Sequence, residues 1–90
     1  MLAYRVAYFL PKHRDAMVTA RALDFPGLVS EGWNVAEART KITAILTASA
    51  HEYQDAGRAL PTPDPNANDA SADLLEIVAI ICNWPLPPPG

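Results

Sequence analysis

The sequence predicts a small α+β domain of element order β-β-β-α-β, in which a single four-stranded sheet of strand order 3-2-1-4 carries one helix on one face. Three observations carry that prediction. Period-two alternation marks three short strands before residue 32, an apolar stripe at helical spacing follows residue 34, and a β-branched run occupies residues 74–82.

Strand one is read from Leu2, Tyr4, Val6, Tyr8 and Leu10 on one parity, with Ala3, Arg5, Ala7 and Phe9 on the other. Pro11-Lys12-His13-Arg14-Asp15 is polar apart from its proline and reads as a hairpin loop before strand two, at about Met17 to Ala22. Asp24-Phe25-Pro26-Gly27 supplies a fixed φ and then a residue free to take positive φ, which is turn chemistry. Pro26 and Gly27 are therefore expected to be a structural turn, with strand three at about Leu28 to Glu31 after it.

Asn34 followed three residues later by Glu37 resembles a capping box, and opens a helix expected over about Val35 to Ala56. Its stripe is Val35, Ala38, Ile42, Ile45, Leu46 and Tyr53. Gly57 is placed as a C-terminal cap, and Pro61, Pro63 and Pro65 forbid continuation. Residues 58–72 form a linker rich in Pro, Asn, Asp and Ala. Leu74 to Cys82 is apolar on both parities except at Glu76, and four of its nine positions are β-branched, so it reads as strand four. The proline-rich tail, residues 83–90, cannot be a helix interior and is expected to be extended.

Short turns make strands one to three an antiparallel meander. A right-handed crossover through the helix then places strand four beside strand one and parallel to it. One helix covers one face of such a sheet, which leaves the other face for solvent or another subunit.

Ninety residues, half of them apolar, describe one small domain with a thin core. No segment reaches the ~18 consecutive apolar residues of a membrane span, and Met1 to Leu10 lacks the basic start of a signal peptide, so a cytoplasmic location is expected and no membrane partner. Residues 1–60 hold all seven Lys and Arg against six acids, whereas residues 61–90 hold four acids, Asp64, Asp69, Asp73 and Glu76, and no base. That distribution lacks the basic face of a nucleic-acid binder. A single cysteine, Cys82, excludes an internal disulfide, and without a basic neighbour it reads as an inert buried thiol.

No constellation of catalytic residues stands out. His13 lies in the loop and His51 on the helix with Glu52 and Asp55, a pattern that is ordinarily a solvated helix face. We expect no catalytic, cofactor-binding or metal residues. Candidate interface residues are Trp33, Leu75, Ile77, Ile81 and Trp84: aromatic anchors, of which Trp33 is equally suited to staple onto the first helical turn, and one parity of a strand that a single helix cannot cover on both sides.

Tyr4-Arg5-Val6, then Leu23-Asp24-Phe25-Pro26-Gly27-Leu28-Val29-Ser30-Glu31-Gly32, then Asn34-Val35-Ala36-Glu37-Ala38, resemble the HicB antitoxin family over about residues 3–60. The Pro-Gly block is the most specific part. Leu23 stands where that family usually has proline, and Leu28 where it usually has cysteine. The resemblance implies a partial ribonuclease-H-like β-β-β-α-β domain over residues 1–82, without catalytic residues. It also implies self-association and the capture of a small basic HicA-like ribonuclease toxin. Many HicB proteins carry a C-terminal DNA-binding segment; Asn83 to Gly90 is too short for one, so no direct nucleic-acid binding is expected. Two functions follow as expectations: an antitoxin-type binding module in which the acidic residues attract a basic toxin, or a toxin-free structural or regulatory homo-oligomer of the same fold. A homodimer or higher oligomer is expected in either case, with exchange of strand four through the linker as one route to it.

Overall fold

The computed structural model describes residues 2–80 as β1 (Leu2–Phe9), β2 (Val18–Ala22), β3 (Val29–Gly32), α1 (Val35–Asp55) and β4 (Leu74–Ile80). They form one four-stranded sheet of order β3-β2-β1-β4 with the helix packed on it, the α+β arrangement expected from the sequence. The expected extension of the last strand through Ile81 and Cys82, and the proline-rich tail, lie outside the described residues.

The side chains of Tyr4, Val6 and Tyr8 of β1 face the helix. Tyr4, Val6 and Tyr8 are buried with Val18, Ala20 and Ala22 of β2 and Val78 and Ile80 of β4, against Ala38, Ile42, Leu46 and Ala50 of α1. The helical stripe thus advances by four residues per step along one line. Val35 and Tyr53 pack at its margins.

Both helix ends are fastened as the sequence predicts. Asn34 Oδ1 accepts the Glu37 N–H at 2.8 Å, and Glu37 Oε1 accepts the Trp33 N–H at 3.3 Å. At the other end Gly57 takes φ +68°, its N–H reaches the Gln54 carbonyl, and the Arg58 N–H reaches the Tyr53 carbonyl at 2.8 Å. This pair of bonds is a Schellman motif, and it directs the chain away from the helix axis.

The direction of β4 corrects the expected topology. Leu74 faces Tyr8 and Ile80 faces Leu2, so β4 runs antiparallel to β1 rather than parallel. The cause is the connection. A 21-residue helix spans about 31 Å, enough to carry the chain past the N-terminal end of β1. Residues 56–73 then climb back to the other end of the sheet, a distance of about 26 Å for an eight-residue strand and well within their extended reach. A parallel β4 requires a direct return from the helix end to the sheet, and this return is indirect.

The climb follows the sheet face opposite the helix. The Tyr4 hydroxyl donates to the Pro61 carbonyl at 2.7 Å as the connection leaves the helix end. Pro63, Asp64 and Pro65 then line one cleft with Ala3, Arg5 and Ile77, and Asp69 approaches Arg21 at 3.8 Å. Finally the Leu10 N–H donates to Asp73 Oδ2 at 2.7 Å beside the start of β4. Ala7, on the face away from the helix, is fully buried. The second face, which the sequence leaves to solvent or another subunit, is thus partly covered by the chain itself.

Candidate interaction surface

β4 ends the sheet, with β1 on one side and no further strand among the described residues on the other. A strand in this position presents backbone N–H and C=O groups along its free edge. Its side chains divide by face. Val78 and Ile80 are buried under the helix, whereas Leu75, Ile77 and Ala79 project from the opposite face and are exposed, Ile77 at 61%. The connection that buries Ala7 covers the face only in part. An apolar row at an open sheet edge is the surface of this molecule best suited to another polypeptide.

Glu76 interrupts that apolar strand on the helix side, and its partners account for it. Arg39 of α1 donates from Nε to Oε1 and from Nη2 to Oε2, each at 2.7 Å, while the Tyr8 hydroxyl donates to Oε1 at 2.9 Å. The Arg39 hydrogen bonds hold the Glu76 carboxyl below its ordinary range, with the Tyr8 bond acting the same way. Burial, followed by the bond to Glu76, pushes the Tyr8 hydroxyl up to about 12. This trio fastens the edge strand to the helix, and each of its groups is engaged in that task.

The remaining acids also have local work. Asp69 accepts the Ser71 N–H at 2.9 Å and the Ser71 hydroxyl at 2.6 Å, which together hold its carboxyl below the usual range. Asp64 Oδ1 accepts the Asn66 N–H at 2.8 Å. These are turns of the connection.

Of the residues singled out in sequence, Pro26 and Gly27 form a type II turn, with φ +78° at Gly27 and the Leu28 N–H directed at the Phe25 carbonyl at 3.5 Å. The turn sets Phe25 edge-on between Tyr4 and Tyr53, at centroid distances of 4.8 and 5.8 Å. Leu75 and Ile77 share the open face of β4. Trp33 is 63% exposed but follows β3, at the opposite edge of the sheet, so the structure does not join it to Leu75 and Ile77. Ile81 and Trp84 lie outside the described residues. His13 is exposed in the β1–β2 loop and His51 is exposed on α1. Among the described residues no three His, Cys, Asp or Glu side chains are grouped to hold a metal ion, and no helix is long and apolar enough to cross a membrane.

Sequence reasoning missed the half-buried Arg5, whose Nε is buried without an acceptor where the connection crosses β1. Its signal was available: a lone cation in a strand otherwise built of Leu, Ala, Val, Tyr and Phe. No protein-family model, curated protein or solved structure matches the chain.

Proposed function

We propose that this chain is a non-enzymatic, HicB-like antitoxin-type binding module of the cytoplasm, and that the free edge of β4 with Leu75 and Ile77 is its docking element. One observation carries the reading: an apolar seven-residue strand ends the sheet with its outer edge unpaired among the described residues and its outward side chains uncovered. Strand addition to such an edge satisfies the backbone groups of both polypeptides and buries the exposed side chains together. The resemblance of residues 3–60 to HicB proteins names the partner class, a small basic HicA-like ribonuclease toxin.

A second reading, a toxin-free homo-oligomer of the same fold, is favoured by two details of the same strand and its neighbours. The acids at 64, 69 and 76 are held in internal hydrogen bonds, which weakens electrostatic attraction as the main source of affinity. An antiparallel β4–β4 ladder centred on Ile77 also sets Glu76 opposite Val78 of the second copy, so no like charges oppose each other.

The test first reads the adjacent open reading frames for a small basic protein, then mixes any such protein with the purified chain and follows mass by light scattering, and ribonuclease activity, at 0.1 and 1 M salt. A complex that persists at 1 M salt with the activity silenced supports the antitoxin reading. A dimer of this chain alone, with no complex, supports the homo-oligomer. A monomer that captures nothing overturns both.

A further inference from the structure

We propose that the cleft between the open sheet face and residues 63–65 is a binding site for a small monocarboxylate with an apolar body. Its floor is Ala3 and Arg5 of β1 with Ile77, which lies directly across the β1–β4 ladder from Arg5; its roof is Pro63, Asp64 and Pro65. The cleft is half-open to solvent and has room for about 170 Å³. An apolar protein cavity of ~150 Å³ admits benzene, so a ring or short alkyl chain fits this space.

Arg5 supplies the recognition. The other cations packed against the fold have partners: Arg21 meets Asp69, Arg39 meets Glu76, Lys41 meets Glu37, and the Arg58 guanidinium stacks 4.4 Å over Tyr53. Arg5 forms no ion pair among the described residues, and its buried Nε–H has no acceptor. A desolvated donor on a permanently charged group is costly to leave unsatisfied. Nε is shielded from solvent, so a ligand in the cleft meets the two Nη groups, which are not buried, and a carboxylate offers two coplanar oxygens that match that end of the guanidinium.

The walls decide which anions fit. Pro63, Pro65, Ala3 and Ile77 provide apolar contact but few donors, so phosphate or sulfate would leave most of its oxygens unsatisfied. Asp64 is the one acid on the lining, and its Oδ1 is turned to the Asn66 N–H rather than paired with Arg5. Its charge opposes a second negative group, which selects a single carboxylate. The site is independent of the β4 docking edge in its ligand, though Ile77 borders both.

Backbone amide NMR of the full chain tests the assignment, with benzoate and its neutral isostere benzamide as probes. Benzoate is expected to shift the Ala3, Arg5 and Ile77 amides saturably at millimolar concentration, and benzamide to bind at least tenfold more weakly. Arg5→Met should abolish the preference for benzoate, and Asp64→Asn should tighten benzoate several-fold. The benzoate–benzamide contrast in the wild type stands even if Arg5→Met fails to fold. Equal binding of the two probes, or no saturable shift by 50 mM benzoate, overturns the proposal.

Discussion

Arg39 on the helix and Glu76 on the edge strand, 37 positions apart, are joined by two parallel hydrogen bonds of 2.7 Å. The geometry is the bidentate fork of guanidinium and carboxylate, which fixes orientation as well as distance. It anchors the one strand that reaches the sheet by the long connection, and so holds the proposed docking edge in register.

The trio makes stability pH-dependent at both extremes. Because the Glu76 carboxyl is lowered in the fold, chiefly by Arg39, its stabilisation is present above the unfolded value of ~4.3 and is lost as pH falls through the lower folded value. Tyr8 is raised, first by burial, from 10 to about 12, so the fold favours the neutral phenol. That contribution is complete below pH 10 and declines between 10 and about 12. Urea unfolding from pH 3 to 12 should show Glu76→Gln flattening the acid limb and Tyr8→Phe flattening the alkaline limb. Wild-type slopes on both limbs in these variants would remove the trio from the pH response.

Gly32 lies where the end of β3 meets the first turn of α1. A Cβ there would stand 2.5 Å from the Ala38 amide nitrogen and 2.9 Å from the Glu37 carbonyl carbon, both backbone atoms that cannot rotate aside. Gly32→Ala is expected to cost roughly 1–3 kcal/mol by forcing helix and strand apart. Thermal unfolding measures it, and an unchanged Tm would mean that the helix start shifts freely.

At Gly27 the cost has a different origin. Nothing lies within 4 Å of an added Cβ, so the strain of φ +78° acts alone. Gly27→Val should lose roughly 1–3 kcal/mol, and Gly27→Asn clearly less, because Asn tolerates the left-handed region. Equal losses for the two would point to packing rather than backbone conformation.

Local elements were legible in this sequence because their signals are local: the parity of β1, the Asn34–Glu37 cap, the Pro26-Gly27 turn and the glycine past the helix end each reappear in place. Two features were not legible, and they have one cause. The orientation of β4 and the cover over Ala7 both follow from the route of residues 56–73, whose composition of Pro, Asn, Asp and Ala reads as a solvated linker. Its fastenings are single contacts to distant residues, such as Tyr4 to Pro61 and Arg21 to Asp69, which carry no periodicity. The shared open face of Leu75 and Ile77 was legible by parity alone, whereas placing Trp33 at the opposite sheet edge required the strand order.

The docking edge makes the sharpest prediction. Ile77 is 61% exposed, so a lysine there leaves the core under the helix intact and Tm within a few degrees of wild type. On an edge strand the same lysine opposes pairing, because a second strand would have to bury or abut its charge. In a β4–β4 ladder centred on residue 77 the two lysines would face each other, and burial of two isoleucines, each contributing on the order of 1.5–3 kcal/mol, would be lost. Light scattering at micromolar concentration should therefore show an oligomeric wild type and a monomeric Ile77→Lys variant. Trp33→Lys supplies the control: it removes an equally exposed apolar side chain, 63%, from the far edge of the sheet and should leave association unchanged. Loss of association in Trp33→Lys but not in Ile77→Lys would move the interface to the β3 side and detach β4 from the mechanism.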